Sequence, residues 1–345
     1  MTTEHPPSVC PSWCVRDQRE DGPMFALDPI TWHYAAPLVV HTSRGNGTIS
    51  RAGVHDAADV DVAAALTWAA GVAGPIAAAT ELTGGMTSTM LRLQSVSGPD
   101  VVLRLRTREP WRSHGEGLAP RESRVQQMLA DTLLPVPRSL ALDAGGQSCA
   151  YPGHLMSLLP GHTDPDRADP AALGQMADLL AAVHHVEPTI EVRPYQSWAW
   201  EAKYVPPQWA KDASVWEDAF AVLRSDPPEH DQCSIHRDFG PRNVLWSDGQ
   251  VSGVVDWVET SLGPAWLDVA HCCTNLALVH GNQPADLFAA AYTERTGQAA
   301  QPYFDVMDIV GFLPPPGREG FFTATRERDH LEERLRAVLQ RLASR

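Results

Sequence analysis

Residues 235–257 constrain this chain more than any other stretch. They read Ile235-His236-Arg237-Asp238-Phe239-Gly240-Pro241-Arg242-Asn243-Val244-Leu245-Trp246, then Ser247-Asp248-Gly249-Gln250, then an apolar run ending in Val254-Val255-Asp256-Trp257. Asp-Gly is the strongest turn signal here, so Val244–Trp246 and the run into Asp256 are expected to pair as a hairpin. Asn243 then stands at one open end and Asp256 at the other, a compact way to put two oxygen ligands around Mg²⁺. Asp238 lies five residues before Asn243, a spacing that a short loop folds back across. Phosphoryl transfer of the kinase type needs such a set: a carboxylate beside the attacking hydroxyl, and oxygen ligands for the ions that neutralise the phosphates. The segment therefore reads as a phosphotransferase site. A bare His-x-Asp triplet would carry little weight; the downstream Asn, the hairpin and Gly263-Pro264-x-x-x-Asp268 supply it.

A chain of 345 residues buries a substantial core, and its length suggests about two domains. Its 27 Lys+Arg against 42 Asp+Glu leave a formal charge of −15. That argues against a nucleic-acid groove, and serves solubility before attraction of a cationic substrate. No apolar run approaches the roughly eighteen residues of a membrane span. The start, with Glu4, His5 and two prolines, lacks the basic-then-apolar pattern of a signal peptide. Adjacent Cys272-Cys273, in an apolar stretch, read as packed thiols. The expectation is a reduced cytoplasmic protein with a small-molecule partner and neither nucleic acid nor membrane; its oligomeric state has no signature here.

Residues 1–50 stand apart. Cys10-Pro-Ser-Trp-Cys14 spaces two thiols as in a metal knuckle, with His33 and His41 as further donors, though not in close zinc-finger spacing. A poorly ordered extension fits as well. Asp56 to Ala70 reads helical, with Val60, Ala63, Leu66 and Trp68 or Ala69 as its stripe. Ala77–Leu82, then Thr83-Gly84-Gly85-Met86-Thr87-Ser88-Thr89, then Met90–Leu93 reads strand, glycine turn, strand. This is the form of a phosphate-covering loop, and equally of an ordinary hairpin. Leu103 and Leu105 alternate with Arg104 and Arg106, the pattern of a strand with one apolar face. A helix is expected from about Pro120 to Ala130, with Glu122 in its first turn near the positive end of the dipole.

Asp169-Pro170 starts another helix, with Leu173, Met176, Leu179, Leu180 and Val183 as its buried stripe. Trp198, Trp200, Trp209 and Trp216 either wall a pocket or cover a core, the commoner use. Further helices are expected at Glu217–Leu223, Asp268–His280, Leu287–Tyr292 and through Leu331, Leu335, Val338, Leu339 and Leu342, with a break at 311–317. Strands crowd residues 76–160, while helices and one short hairpin fill 162–345. The implied class is α+β, a small mixed-sheet lobe over a larger mainly helical lobe with the site between them. The chain divides accordingly into an extension (1–50), a nucleotide lobe (51–160) and a catalytic, acceptor-binding lobe (161–345).

The block from Ile235 to Asp256, with Asp268, resembles the catalytic core of the aminoglycoside phosphotransferase family, a group of kinase-like small-molecule phosphotransferases. The likeness covers residues 60–300 and implies the two-lobed protein-kinase-like fold, ATP and Mg²⁺ as cofactors, and transfer to a small-molecule hydroxyl. By resemblance, Asp238 orients that hydroxyl and accepts its proton, Asn243 and Asp256 hold the metal, and Asp268 supports the catalytic loop. Gly84 and Gly85 match the nucleotide loop, and 156–161 the connection that receives adenine. Arg104 matches the strand position that faces the ATP phosphates, and Glu122 the helix glutamate that pairs with it. The only lysines are Lys203 and Lys211, far downstream, and an arginine fork is not a neutral replacement for lysine. His236 is expected to stabilise the loop rather than act as base. The resemblance points to an aminoglycoside or another hydroxylated antibiotic as acceptor, with a resistance role. Similar proteins also include kinases of macrolides, choline-like alcohols and metabolites, and the motif residues do not choose among them. The alternative is a catalytically silent nucleotide-binding or interaction protein on the same fold.

Overall fold

The computed structural model describes residues 48–49, 60–82, 87–314 and 324–344. Cys10, Cys14, His33, His41, Gly84, Gly85 and residues 315–317 of the expected break lie outside them. β1 (Thr48–Ile49) pairs with β2 (Val60–Asp61), and α1 runs Ala63–Ala73 rather than from Asp56. Its buried positions are Ala65 and Ala69, and of the expected stripe Leu66 and Trp68 pack half-buried beside them.

An antiparallel sheet of five strands follows, ordered β3 (Ile76–Leu82), β4 (Thr89–Ser95), β5 (Val101–Leu105), β7 (Gly153–Ser157), β6 (Ser139–Asp143). On one face Leu91, Leu93, Leu103, Leu105 and Leu155 form a core closed by α1. The other face carries Arg104 and His154 and is covered by α2 (Gly115–Leu129). β5 thus has one apolar face, as its alternation implied, but both faces are buried because α1 closes one and α2 the other. α2 begins five residues before Pro120, so Glu122 lies two turns inside the helix and not at its dipole end. Gly115 explains the early start: a Cβ there would stand 2.4 Å from Pro152. This helix end needs the close approach that glycine allows.

β8 (His162–Thr163) pairs with β10 (Val244–Ser247), which pairs in turn with β11 (Gln250–Val254). Between the lobes, Gly161 adopts φ 96°, and a Cβ there would lie 2.3 Å from the Trp246 carbonyl. Ser252 Oγ donates to the Pro160 carbonyl at 2.7 Å, pinning the same connection to the hairpin. The expected hairpin has Asp248 (φ 51°) and Gly249 (φ 78°) at its turn, the two positive φ angles of a type I′ turn. A second pair was not legible: β9 (Gln232–Ile235) lies against β12 (Ser261–Pro264).

The remaining elements are helices. α3 (Pro170–His184) is capped by Asp169, which accepts from Ala172 N, and its predicted stripe is buried. α4 (Ala213–Leu223) starts earlier than expected because Asp212 caps it through Ser214 N. α5 (Ala265–His280) packs against α6 (Asn282–Thr296), α7 (Pro302–Gly311) and α8 (Thr325–Ala343). All ten residues of α7 are buried. It is ten residues long with no exposed side, and Asp305 and Asp308 turn inward, so no solvent-facing polar side marks it in the sequence. Trp216, Trp257 and Trp266 are fully buried, and Cys272 and Cys273 are free thiols in this core. Among the described residues no helix is long and apolar enough to cross a membrane.

Candidate active site

The catalytic block is the loop that leaves β9 at Ile235 and enters β10 at Val244. Its backbone is steered by Asp268, in the first turn of α5. The Asp268 carboxylate accepts from His236 N at 2.7 Å, from Arg237 N at 2.7 Å, and from His184 Nε2 at 3.1 Å. Arg237 sits at φ 71°, a conformation that an arginine holds only where its surroundings impose it. His236 Nε2 donates to the Val255 carbonyl at 3.0 Å, while its Nδ1 accepts from Asp238 N at 3.2 Å. One nitrogen gives and the other receives, so this ring braces the loop.

Val255 joins the two halves of the site. Its N–H donates to the Asn243 carbonyl at 2.9 Å, so Asn243 and Asp256 stand side by side at the open end of the hairpin. Asn243 Nδ2 donates to the Asp238 carbonyl at 2.8 Å and to Asp238 Oδ2 at 3.0 Å. The amide oxygen therefore faces away from Asp238. Asp256 takes φ 67° and ψ 62°, a second left-handed residue that turns its carboxylate toward the upper sheet.

There it meets Arg104. Nη1 and Nη2 donate to Asp256 Oδ1 and Oδ2 at 2.9 and 3.2 Å, a forked pair between the lobes. Nη1 also reaches Glu122 Oε1 at 3.1 Å, and Nε donates to Ser88 Oγ at 3.1 Å. The expected neighbourhood of Arg104 and Glu122 is present. Burial would raise the Glu122 carboxyl, but Arg104, then His154 and Arg106, hold it well below the usual carboxylate range. Arg106 is equally buried and approaches Glu122 only to 3.7 Å, with Nε and Nη2 unpartnered among the described residues. Burial, with Arg104 beside it, pushes Arg106 down to about 10.

Asp238 exposes 38 % of its side chain, against 30 % for Asp256, while Asp268 is wholly buried. Its Oδ1 accepts from His271 Nε2 at 3.0 Å. Burial opposes its ionisation, yet His271, His236 and Asn243 hold the carboxyl below its ordinary value. Sequence reasoning missed His271, Asn275 and Asp308. They sit on α5 and α7, where nothing in the residue order brings them to Asp238. Trp198, read as core cover, lies here too: its ring carries the Arg237 guanidinium 3.6 Å above its centre and meets His271 edge-on. Trp216 and Trp209 do serve the core.

Residues 78–304 match the phosphotransferase enzyme family designated APH. The solved aminoglycoside phosphotransferase APH(4)-Ia superposes with a TM-score of 0.59 at 17% identity, covering 80% of this chain and 98% of that one. A mutant of it has been seen in a ternary complex with ADP and hygromycin B. Acyl-CoA dehydrogenase family member 10 of Mus musculus is 25% identical over 233 residues, 59% of this chain and 21% of that protein. Aminoglycoside 3'-phosphotransferase of Enterococcus faecalis is 27% identical over 70 residues, 20% of this chain and 26% of that protein. The chain thus spans about a fifth to a quarter of the curated relatives it matches. With two thirds of its length inside the family match, and a two-lobed α+β fold around the loop that drew attention first, the chain belongs to the phosphotransferase enzyme family.

Proposed function

We propose that this chain transfers the terminal phosphoryl group of ATP to a hydroxyl of a small molecule. The observation that carries the reading is Asp238: an outward-facing carboxylate, kept ionised, with each oxygen held by a different donor. In the reaction the acceptor oxygen forms a bond to the γ-phosphorus, the bond to the β-phosphate oxygen breaks, and the hydroxyl proton passes to Asp238. Positioning does most of the work, so a fixed carboxylate serves better than a strong base. Residues 51–160 would hold the nucleotide, with Gly84 and Gly85 over its phosphates, and residues 161–345 the acceptor. An aminoglycoside or a related hydroxylated antibiotic is the acceptor class that the names of the relatives favour. Buried, unpaired thiols suit a reducing, cytoplasmic location.

Mg²⁺ fits the donors present. The Asn243 amide oxygen and the Asp256 carboxylate are hard oxygens on residues that the Val255 backbone brings together, and Arg104 holds both oxygens of Asp256. Among the described residues no cluster of three or more His, Cys, Asp or Glu could cage a metal, which suits an ion completed by phosphate and water. When bound, the ion would neutralise phosphate charge; the chain's part is to present these two oxygens and to supply Arg104. Titration calorimetry of ATP with and without Mg²⁺ is the test. Mg²⁺ is expected to tighten ATP binding about tenfold or more in the wild type and far less in Asp256→Ala. Equal affinities under all four conditions would remove the assignment. ATP consumption screened over hydroxylated antibiotics and metabolites, with product masses checked for a phosphoryl group, tests the reaction itself.

The two strand arginines separate in the same assays. Only Arg104 reaches Asp256, so Arg104→Ala is expected to lower kcat about 10²-fold, and Arg106→Ala less than about tenfold. Arg104→Lys restores the charge but not the fork, and should fall between wild type and alanine. An Arg104→Ala enzyme turning over at the wild-type rate would show that the phosphate charge is balanced elsewhere.

A further inference from the structure

Behind Asp238 lies a chain of buried ionic contacts that the phosphate chemistry does not call for. His271 on α5 points its Nε2 at Asp238 Oδ1 and its Nδ1 at Asp308 Oδ1, each at 3.0 Å. Asp308, on α7, is wholly buried and also faces the Arg237 guanidinium at 3.7 Å. An ionised carboxylate only accepts hydrogen bonds, so a ring between two of them must donate from both nitrogens. That ring is an imidazolium. The charge count agrees: two cations, His271 and Arg237, then stand against two anions, Asp308 and Asp238. A neutral ring would turn one bare nitrogen, an acceptor, against a carboxylate oxygen that can only accept.

The ring has little freedom to leave this position. Phe312 stacks against it at 5.6 Å and 19°, and Trp198 meets it edge-on at 5.3 Å. Asn275, one turn along α5, lies 3.1 Å from Nε2 but donates to the His271 backbone carbonyl at 2.9 Å. Burial alone would lower the imidazolium pKa; Asp308, with Asp238, raises it to about 9. On the far side of Asp238, Asn243 holds the other oxygen.

We propose that His271, gripped by Asp308, is a positioning residue that pins Asp238 Oδ1 as a doubly donating cation while Asn243 pins Oδ2, fixing the plane that the carboxylate offers the acceptor. This inference rests on the kinase reading for its consequence, though not for its geometry. A carboxylate this exposed would otherwise rotate about its own bond, and a misplaced base forfeits much of what orientation supplies. Asp308 sits on α7, all ten residues of which are buried, so its ring-holding oxygen stays dry and in register.

The test has a spectroscopic arm and a kinetic arm. NMR of the imidazole nitrogens, with the His271 signals identified by their loss in His271→Gln, is expected to show both nitrogens protonated at about pH 7 in the wild type. Asp308→Asn should move the midpoint of that titration down by about one pH unit or more. A wild-type ring with one bare nitrogen at neutral pH overturns the proposal, whatever the enzyme phosphorylates. In the kinetic arm, His271→Gln should lower kcat about 10- to 100-fold, with the KM for ATP within about twofold and ATP affinity unchanged. A folded His271→Gln enzyme with wild-type kcat overturns it as well. If the wild type phosphorylates no alcohol while its ring proves doubly protonated, the kinase reading fails and the bridge stands.

Discussion

Replacing Asp238 with Asn is expected to lower kcat by about 10²–10⁴, or roughly 3–5 kcal/mol of transition-state stabilisation, while ATP affinity stays within about a few fold. The variant keeps the shape of the side chain and removes its charge. Its new amide hydrogens would face either His271 or Asn243, both donors toward this site, so the loss of alignment adds to the loss of the base. Because Asp238 acts only in the transfer step, kcat and kcat/KM should fall together. The same contacts set the acid limb of the wild-type rate profile. His271, His236 and Asn243 outweigh burial and keep the Asp238 carboxyl below the ordinary aspartate value. Activity should therefore persist as pH falls to about 4, where an unperturbed aspartate would be half protonated. The decisive comparison is turnover of an identified acceptor by both proteins, with ATP binding measured on the same preparations as a control for folding. A folded Asp238→Asn enzyme near the wild-type rate would return the chain to the silent-binder reading.

The parts of this site that lie close in the chain were legible in the sequence. Asp238, Asn243 and the hairpin into Asp256 are local features, and Asp248-Gly249 named its own turn. Arg104 and Glu122 were found because a strand pattern and a likeness marked their positions, not because spacing showed that they meet. Their 18-residue separation is closed by the packing of α2 on β5. Glu122 was put at a helix end because Pro120 is a natural first residue, and Gly115 concealed the earlier start. His271 and Asp308 were out of reach for a plainer reason. Each lies in an apolar helix, 33 and 70 residues beyond Asp238, and a buried polar residue in such a run looks like an exception until its partner is seen. Asp305 makes the same point: it accepts from Trp266 Nε1 at 2.8 Å and faces Arg334, so the polar residues of α7 serve both the site and the core.

Asp268→Ala is expected to cost about 3–5 kcal/mol of folding stability at neutral pH, the scale seen when one member of a buried ionic cluster is deleted. Three donors would lose their acceptor: the backbone N–H groups of His236 and Arg237, and His184 Nε2. The first two cannot turn elsewhere, since β9 and its pairing with β12 fix the strand that delivers them. The loop would then have no reason to hold Arg237 at φ 71°, and the strain there would relax by moving Asp238. The effect has a pH signature. Burial would raise the Asp268 carboxyl, but His184, His236 and the loop N–H donors bring it below the ordinary aspartate value. A group lowered on folding stabilises fully above its unfolded value and loses that contribution as pH falls through the folded one. The gap in stability between wild type and Asp268→Ala should therefore be widest near neutrality and narrow below about pH 4. Denaturant unfolding of both proteins across that range is the measurement. A variant within about 1 kcal/mol of wild type at neutral pH, or a gap that widens in acid, would mean that the catalytic loop is held by its flanking strands and not by the carboxylate beneath it.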